Sequence, residues 1–205
     1  GFTSRICQPL SSPVTVARLG SVGAGYAASP DNYKGGIGSA SDVMRFRHTV
    51  GALVAVNAAG RVTLGEEGHF FAAAFEQNGE FGGRGFPKQP QQVATALKGD
   101  ERQNTTIALV ATDAVLTNAQ AKRLAVMAGA GFAIAIHPVF TPLDGDLVFA
   151  AATGKRALSD PLRDLAKLGA VAAQCLARAI ARGVYEADSL AFSGALPAWK
   201  DKFGK

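Results

Sequence analysis

At Asn104-Thr105 a polar run that starts at Gly99 stops, and an apolar, β-rich run begins at once. A threonine hydroxyl is a poor nucleophile and needs a base. A threonine that begins a chain carries one in its own α-amine, whose ordinary pKa is about 8. Breaking the Asn104–Thr105 bond would create that amine. The hydroxyl would attack the preceding carbonyl, and water would open the resulting ester. Such an attack needs a strained, immobilised loop, which the polar connection 76–104 could supply. By residue type alone a threonine that merely begins a strand is the commoner case.

The second chemical candidate is Thr141-Pro142-Leu143-Asp144-Gly145-Asp146. Carboxylates two residues apart point the same way on an extended chain. Their repulsion calls for a cation, an ammonium or a shared proton between them. A calcium site would need further oxygen ligands that are not nearby, and a plain Asp-Gly turn is the simple alternative. Asn57 closes the apolar run Val50 to Asn57 and could cap a turn or donate its amide to an oxyanion. Lys34 lies in a Gly-rich segment, where a lysine is usually solvated. Glu76, Asn78 and Glu80 are turn residues or the rim of a site.

Other chemistries find little support. The three histidines, His48, His69 and His137, lack metal-ligand spacing, and no Ser/His/Asp or Cys/His set is apparent. Gly23-Ala24-Gly25 lacks the strand, third glycine and helix of a dinucleotide fingerprint. Cys7 and Cys175 are far apart, and Cys175 lies on an apolar helical face. No disulfide framework is indicated, which points to a reducing, cytoplasmic setting, with the periplasm also open. The net charge of +5 is scattered apart from Arg45–Arg47 and Lys200–Lys205, so a nucleic-acid partner is not expected. No run reaches the ~18 apolar residues of a membrane helix.

The elements that must position these residues follow from patterning. The chain has 205 residues, 48% of them hydrophobic, enough for a single domain with a substantial core. Val14 to Leu19 reads as a short edge strand, and residues 20–41 as a loop or short twisted strands. Val50 to Asn57 and Thr105 to Thr112 read as strands apolar on both faces, hence buried between two layers. Val62 to Leu64 returns as a hairpin, Phe70 to Phe75 is a further apolar run, and Val93 to Leu97 makes one helical turn. Thr117 caps a helix that continues past Gly129 and Gly131 and ends before Pro138. Leu147 to Ala152 is a third strand. Ser159-Asp160-Pro161 starts a long helix that buries Leu162, Leu165, Leu168, Ala172, Cys175, Leu176, Ala179 and Ile180 and ends near Gly183. The tail with Trp199 is frayed or docked on a neighbour. The pattern is that of a layered α/β protein.

Set in order, KGGIGSAS, VGALVAVNAAG, FEQNGEFGG, NTTIALVATDA with LTNAQAKRLAVMA, and IHPVFTPLDGDLVFAAATG resemble the P1 (DmpA-type) aminopeptidases, peptidase family S58. The resemblance runs from about residue 20 to the end of the last long helix. The Asn-Thr pair looks most like the Thr-nucleophile nylon-oligomer hydrolase branch. It implies an αββα sandwich of the DmpA/ornithine acetyltransferase type and an N-terminal-nucleophile hydrolase that cuts itself. Segment 1–104 would be the upstream piece and 105–205 the downstream piece. Thr105 would be the nucleophile, Asn104 the residue left upstream and Asn57 an oxyanion donor. Lys34 would lie near the nucleophile, and Asp144 and Asp146 would orient it or receive the substrate amine. No cofactor is implied. Small peptides or amides, among them β-peptides or 6-aminohexanoate oligomers, would be substrates of a homo-oligomer of processed αβ units. An ornithine acetyltransferase-like acyl transfer and an inactive fragment are the alternatives. Family chains extend further on the amino-terminal side, so strands, a Gly-rich helix start and a site tyrosine are expected to be absent here. Phe140 stands where a histidine is common in relatives.

Overall fold

The structure, a computed structural model, describes residues 18–44, 48–93, 95, 97–98 and 104–204. Cys7 and the basic cluster Arg45–Arg47 lie outside these residues, as does the expected edge strand except for Arg18 and Leu19, which are in no strand. In chain order the elements are β1 (Ile37–Val43), β2 (Thr49–Ala55), β3 (Thr63–Leu64), β4 (His69–Phe70), β5 (Ile107–Ala114), α1 (Asn118–Ala128), α2 (Ala130–Ala135), β6 (Leu147–Arg156), α3 (Pro161–Tyr185) and α4 (Trp199–Phe203). The main sheet has the order β1-β2-β5-β6. Its first three strands are antiparallel. β5 and β6 are parallel, joined by the crossover through α1 and α2 that parallel neighbours require.

Local signals explain the helices. Thr117 and Gln120 form a capping box at the start of α1. Asp160 caps α3 by accepting from the Leu162 and Arg163 amides at 3.1 and 3.0 Å, with Pro161 in the first turn. α3 runs two residues past Gly183 and buries Leu168, Ala172, Cys175, Leu176, Ala179 and Ile180. Leu162, expected on that face, is 81% exposed in the first turn. The chain from α1 into α2 is interrupted at Gly129 and ends ahead of Pro138, as the apolar stripe predicts.

The segment 20–41 holds more structure than its composition suggests, because β1 occupies its end. A side chain at Gly38 would place Cβ 1.8 Å from the Ala179 carbonyl oxygen, so only glycine lets α3 lie this close to β1. β3 pairs with β4, not with β2, whose two edges are already taken by β1 and β5. The run from Phe71 is a 3-10 helix, Phe71–Phe75. Val93, Thr95 and Leu97 are not helical. Trp199 is buried in the chain's own core, its indole N–H donating to Gly68 O at 3.0 Å and its ring stacked on Phe70. The tail is therefore docked on this chain, where an indole can bury its ring and still satisfy its donor.

The two faces of the main sheet differ. Val50, Ala52, Val54, Ala108 and Val110 are buried on the face that α3 and its neighbours cover. On the other face Leu53, Leu109 and Phe149 lie in one cross-strand row and are 37%, 39% and 54% exposed; Ile107 and Leu147 form the next row. This corrects the expectation that the apolar strands are covered on both sides: the described residues supply one helical layer only. No helix among them is long and apolar enough to cross a membrane.

Candidate active site

The site is assembled where β2 ends, β5 begins and the chain approaches β6. Three backbone segments meet there. Thr105 N donates to Asn57 O at 3.0 Å. Gly145 N donates to Asn104 O, and Leu147 N to Thr106 O, each at 3.0 Å, so the parallel β5–β6 ladder continues one step beyond the strands. Thr106 N donates to Asp146 Oδ1, and Ala59 N to Asp144 Oδ2, both at 2.9 Å. Asn57, Asn104, Thr105, Asp144 and Asp146 are thus tied into one network.

At its centre the Thr105 hydroxyl donates to Asn104 O at 2.5 Å. The carbonyl that self-cleavage would attack therefore receives two donors, the Thr105 hydroxyl and the Gly145 amide. Both polarise it towards negative charge on oxygen. Asn104 is buried and Thr105 half-buried. A Cβ at Gly145 would stand 2.9 Å from Thr105 Oγ1, so the glycine between the two aspartates leaves the hydroxyl its space. Neither Asn104 nor Thr105 has a left-handed φ, and of the connection 76–104 expected to supply strain, residues 94, 96 and 99–103 lie outside the described ones.

The acidic pair is electrostatically loaded. Burial pushes Asp144 up to about 6; Asp146 adds to the rise, while the Ala59 amide and Lys98 oppose it. Burial also raises Asp146, against the amides of Thr106 and Phe140. The closeness of Asp146 thus favours the protonated form of Asp144. Asp144 Oδ1 and Asp146 Oδ2 are shut off from solvent and receive no other donor from the described residues. A proton or an ammonium between them would satisfy both.

Asn57 and Lys34 lie on the wall of a cavity of about 450 Å³, together with Ser29, Lys98, Phe192 and Leu196. Asn57 Oδ1 accepts from Ser29 N and from Lys98 Nζ, each at 3.1 Å. Lys34 is 1% exposed, and its ammonium donates to the carbonyls of Gly25, Ala28 and Gly35 at 2.8, 2.6 and 2.7 Å. An ammonium has three donors, so in this arrangement Lys34 clamps the Gly-rich segment around the cavity. Burial, helped by repulsion from Lys98, lowers it to about 8. Glu76 accepts from the Phe81 and Gly83 amides, and Glu80 pairs with Arg178. These two acids stabilise a turn and a helix contact away from the cavity wall.

Sequence reasoning named the threonine, the asparagines, the acid pair and Lys34, but not Lys98, Ser29 or the backbone of Ala59. Lys98 sits in a polar Gly/Pro-rich stretch, where nothing separates it from a solvated lysine. The Ser29 and Ala59 contributions are main-chain groups, which carry no residue-type signal.

A protein of Mycobacterium bovis named as an uncharacterized aminopeptidase is 38% identical, over 90% of this chain and 57% of its own length. Among solved structures, a Burkholderia β-aminopeptidase superposes with a TM-score of 0.63 at 23% identity, covering 92% of this chain and 55% of that one. The L-aminopeptidase D-Ala-esterase/amidase of Ochrobactrum anthropi, described as a variant of the Ntn-hydrolase fold, does so with 0.63 at 22%, covering 94% and 55%. The layered α/β fold is shared with these structures, and the chain spans about half the length of the relatives it matches. The family model for peptidase family S58 matches residues 3–195, and the chain belongs to that family.

Proposed function

We propose that the chain is the catalytic part of an autoprocessed, aminopeptidase-like amide hydrolase whose nucleophile is Thr105. The observation that carries this reading is the doubly donated Asn104 carbonyl, held by the Thr105 hydroxyl at 2.5 Å and the Gly145 amide at 3.0 Å. In processing, Thr105 Oγ bonds to the Asn104 carbonyl carbon, the C–N bond breaks and the hydroxyl proton passes to the departing nitrogen. Water then hydrolyses the ester, leaving an Asn104 carboxylate and a free Thr105 amine. In turnover the same oxygen attacks a substrate amide, the Thr105 amine takes its proton and hands it to the leaving amine, and water releases the acyl group.

The acid pair supports an aminopeptidase reading, because its two unsatisfied oxygens suit an ammonium, either of Thr105 or of a substrate amino terminus. Asn57 supplies the oxyanion donor and Lys34 holds the cavity wall. On this reading the substrates are small peptides or amino-acid amides, β-peptides or 6-aminohexanoate oligomers among the candidates. The working form is a homo-oligomer of processed αβ units with no nucleic-acid or membrane partner. The bare apolar rows of the main sheet favour burial within a larger assembly.

Intact-mass measurement of the purified chain and of Thr105→Ala tests the proposal. The parent should resolve into two pieces, the second beginning Thr-Thr-Ile-Ala. Thr105→Ala should stay whole and inactive. Cleavage after residue 104 in Thr105→Ala would overturn the mechanism.

A further inference from the structure

The structure points to Lys98 as a positioning residue for the oxyanion donor: we propose that its ammonium fixes and polarises the Asn57 carboxamide. This rests on the hydrolase reading and deepens it.

The carboxamide oxygen and nitrogen of an asparagine are told apart by their partners. At Asn57 one atom receives both the Ser29 N–H and the Lys98 ammonium, each at 3.1 Å. Two pure donors can meet only an acceptor, so that atom is Oδ1, and Nδ2 is the end left to donate. Reversing the amide would set an NH₂ against an N–H and an ammonium at once. A cation on the carbonyl also withdraws charge from the amide and strengthens Nδ2 as a donor, because hydrogen bonds in a chain polarise one another.

Lys98 is itself held. Its backbone N donates to Ala59 O at 2.9 Å, and Nζ donates to Ser29 O at 2.7 Å as well as to Asn57. Ser29 thus grips the pair from both sides: its N–H meets Asn57 Oδ1 and its carbonyl meets Lys98. The lysine attaches the connection before the scissile bond to the turn after β2, and the same turn holds Thr105 N through Asn57 O and Asp144 through Ala59 N. The other lysine on the cavity wall, Lys34, has its three donors on backbone carbonyls and does not take this role.

The test is a double-mutant cycle on the full chain, with hydrolysis of an aminoacyl p-nitroanilide as the readout. Asn57→Ala should lower kcat by about 100-fold or more, the usual cost of losing an oxyanion donor. Lys98→Met should lower kcat about 10- to 100-fold, as a misplaced donor does, with KM changed less than about 3-fold. Lys98→Arg, which keeps the cation, should recover most of the loss. Lys98→Met on top of Asn57→Ala should cost little more, since the group it positions is gone. Equal losses from Lys98→Met in both backgrounds, or no loss in kcat, would overturn the proposal. Intact mass and melting temperature, recorded for each variant, separate lost positioning from lost folding or processing. Thr105→Ala serves as the control for the underlying reading: if it retains parental activity, the assignment of Thr105 as nucleophile fails by itself, whatever the cycle returns.

Discussion

Two charge clusters in this molecule are drawn away from water, and they are built on opposite terms. Beneath α3, buried Arg178 grips Glu80 through Nε and Nη2, at 2.5 and 3.1 Å, and donates to Ser41 O; Arg182 approaches the same carboxylate at 3.7 Å. Opposite charges meet there, and the carboxylate has cations on both oxygens. At the start of β5, Asp144 and Asp146 bring like charges together and leave one oxygen on each without a donor from the described residues. The first cluster pins a helix to a strand and a turn. The second raises its own pKa values and is held in place by main-chain amides of Ala59 and Thr106. Groups kept together against their electrostatic preference are where a fold gives up stability for chemistry.

The largest effect expected from breaking this contrast is at Arg178. Removing one partner of a buried pair leaves the other charge poorly compensated, at a cost of about 3–5 kcal/mol. Arg182 remains near Glu80, so the lower end applies. Arg178→Met should lower the melting temperature by about 6–12 °C, since roughly 1 kcal/mol moves it by 2–4 °C in a chain of this size. Activity per folded molecule should hold. Thermal unfolding beside active-site titration checks both, and a turnover loss without a melting shift would show that this cluster is not purely structural.

Asp146→Asn should do the reverse. The asparagine oxygen can still accept from Thr106 N, so the start of β5 keeps its anchor. What disappears is the second oxygen's capacity to hold a shared proton or an ammonium. Turnover should fall about 100-fold, the lower end of the range for a positioned acid–base group, while the melting temperature moves by no more than about 3 °C. A melting loss with unchanged turnover would return the motif to a simple turn.

The same contrast shows what the sequence discloses. Asp160 before Pro161 and Thr117 before Gln120 are readable because capping is local: donor and acceptor lie within three residues. β5 is readable because its apolar run is uninterrupted. β1 is not, because IGSASDV carries small residues for a tertiary reason, the approach of α3 to Gly38. The covered and bare faces of the main sheet have the same apolar character, so patterning predicted two covered faces where the described residues cover one. In the site, residue types disclosed Thr105, Asn57 and the Asp144-Gly145-Asp146 motif, but the partners that tie them together are 40 and 85 residues away along the chain, at Thr106–Asp146 and Ala59–Asp144. Glu80 and Asp144 look alike as acids beside glycine or in a polar stretch. Only the arginines of α3 on one side, and a second aspartate on the other, assign them to opposite roles.

The finest test of the comparison is the pH dependence of Asp144. Its carboxyl stands at about 6 in the fold, against an ordinary value of 3.8. Below pH ~4 it is protonated whether the chain is folded or not, and it costs nothing. Between about 4 and 6 the unfolded chain releases the proton while the fold retains it, so stability falls as pH rises. Above about 6 both forms are charged and the penalty levels off. Asp144→Asn cannot titrate, and its amide oxygen can still accept from Ala59 N. The variant should therefore lack this decline, and from pH 4 to pH 7 it should gain on the parent by about 2–4 °C in melting temperature. Solvent screening of a half-buried carboxyl keeps the effect near ~1 kcal/mol. A matching substitution at Glu80, Glu80→Gln, should instead lower the melting temperature relative to the parent at pH ~7, because the amide forfeits the charged pairing with Arg178. Opposite signs in the two melting series would establish that one cluster is there for the fold and the other in spite of it.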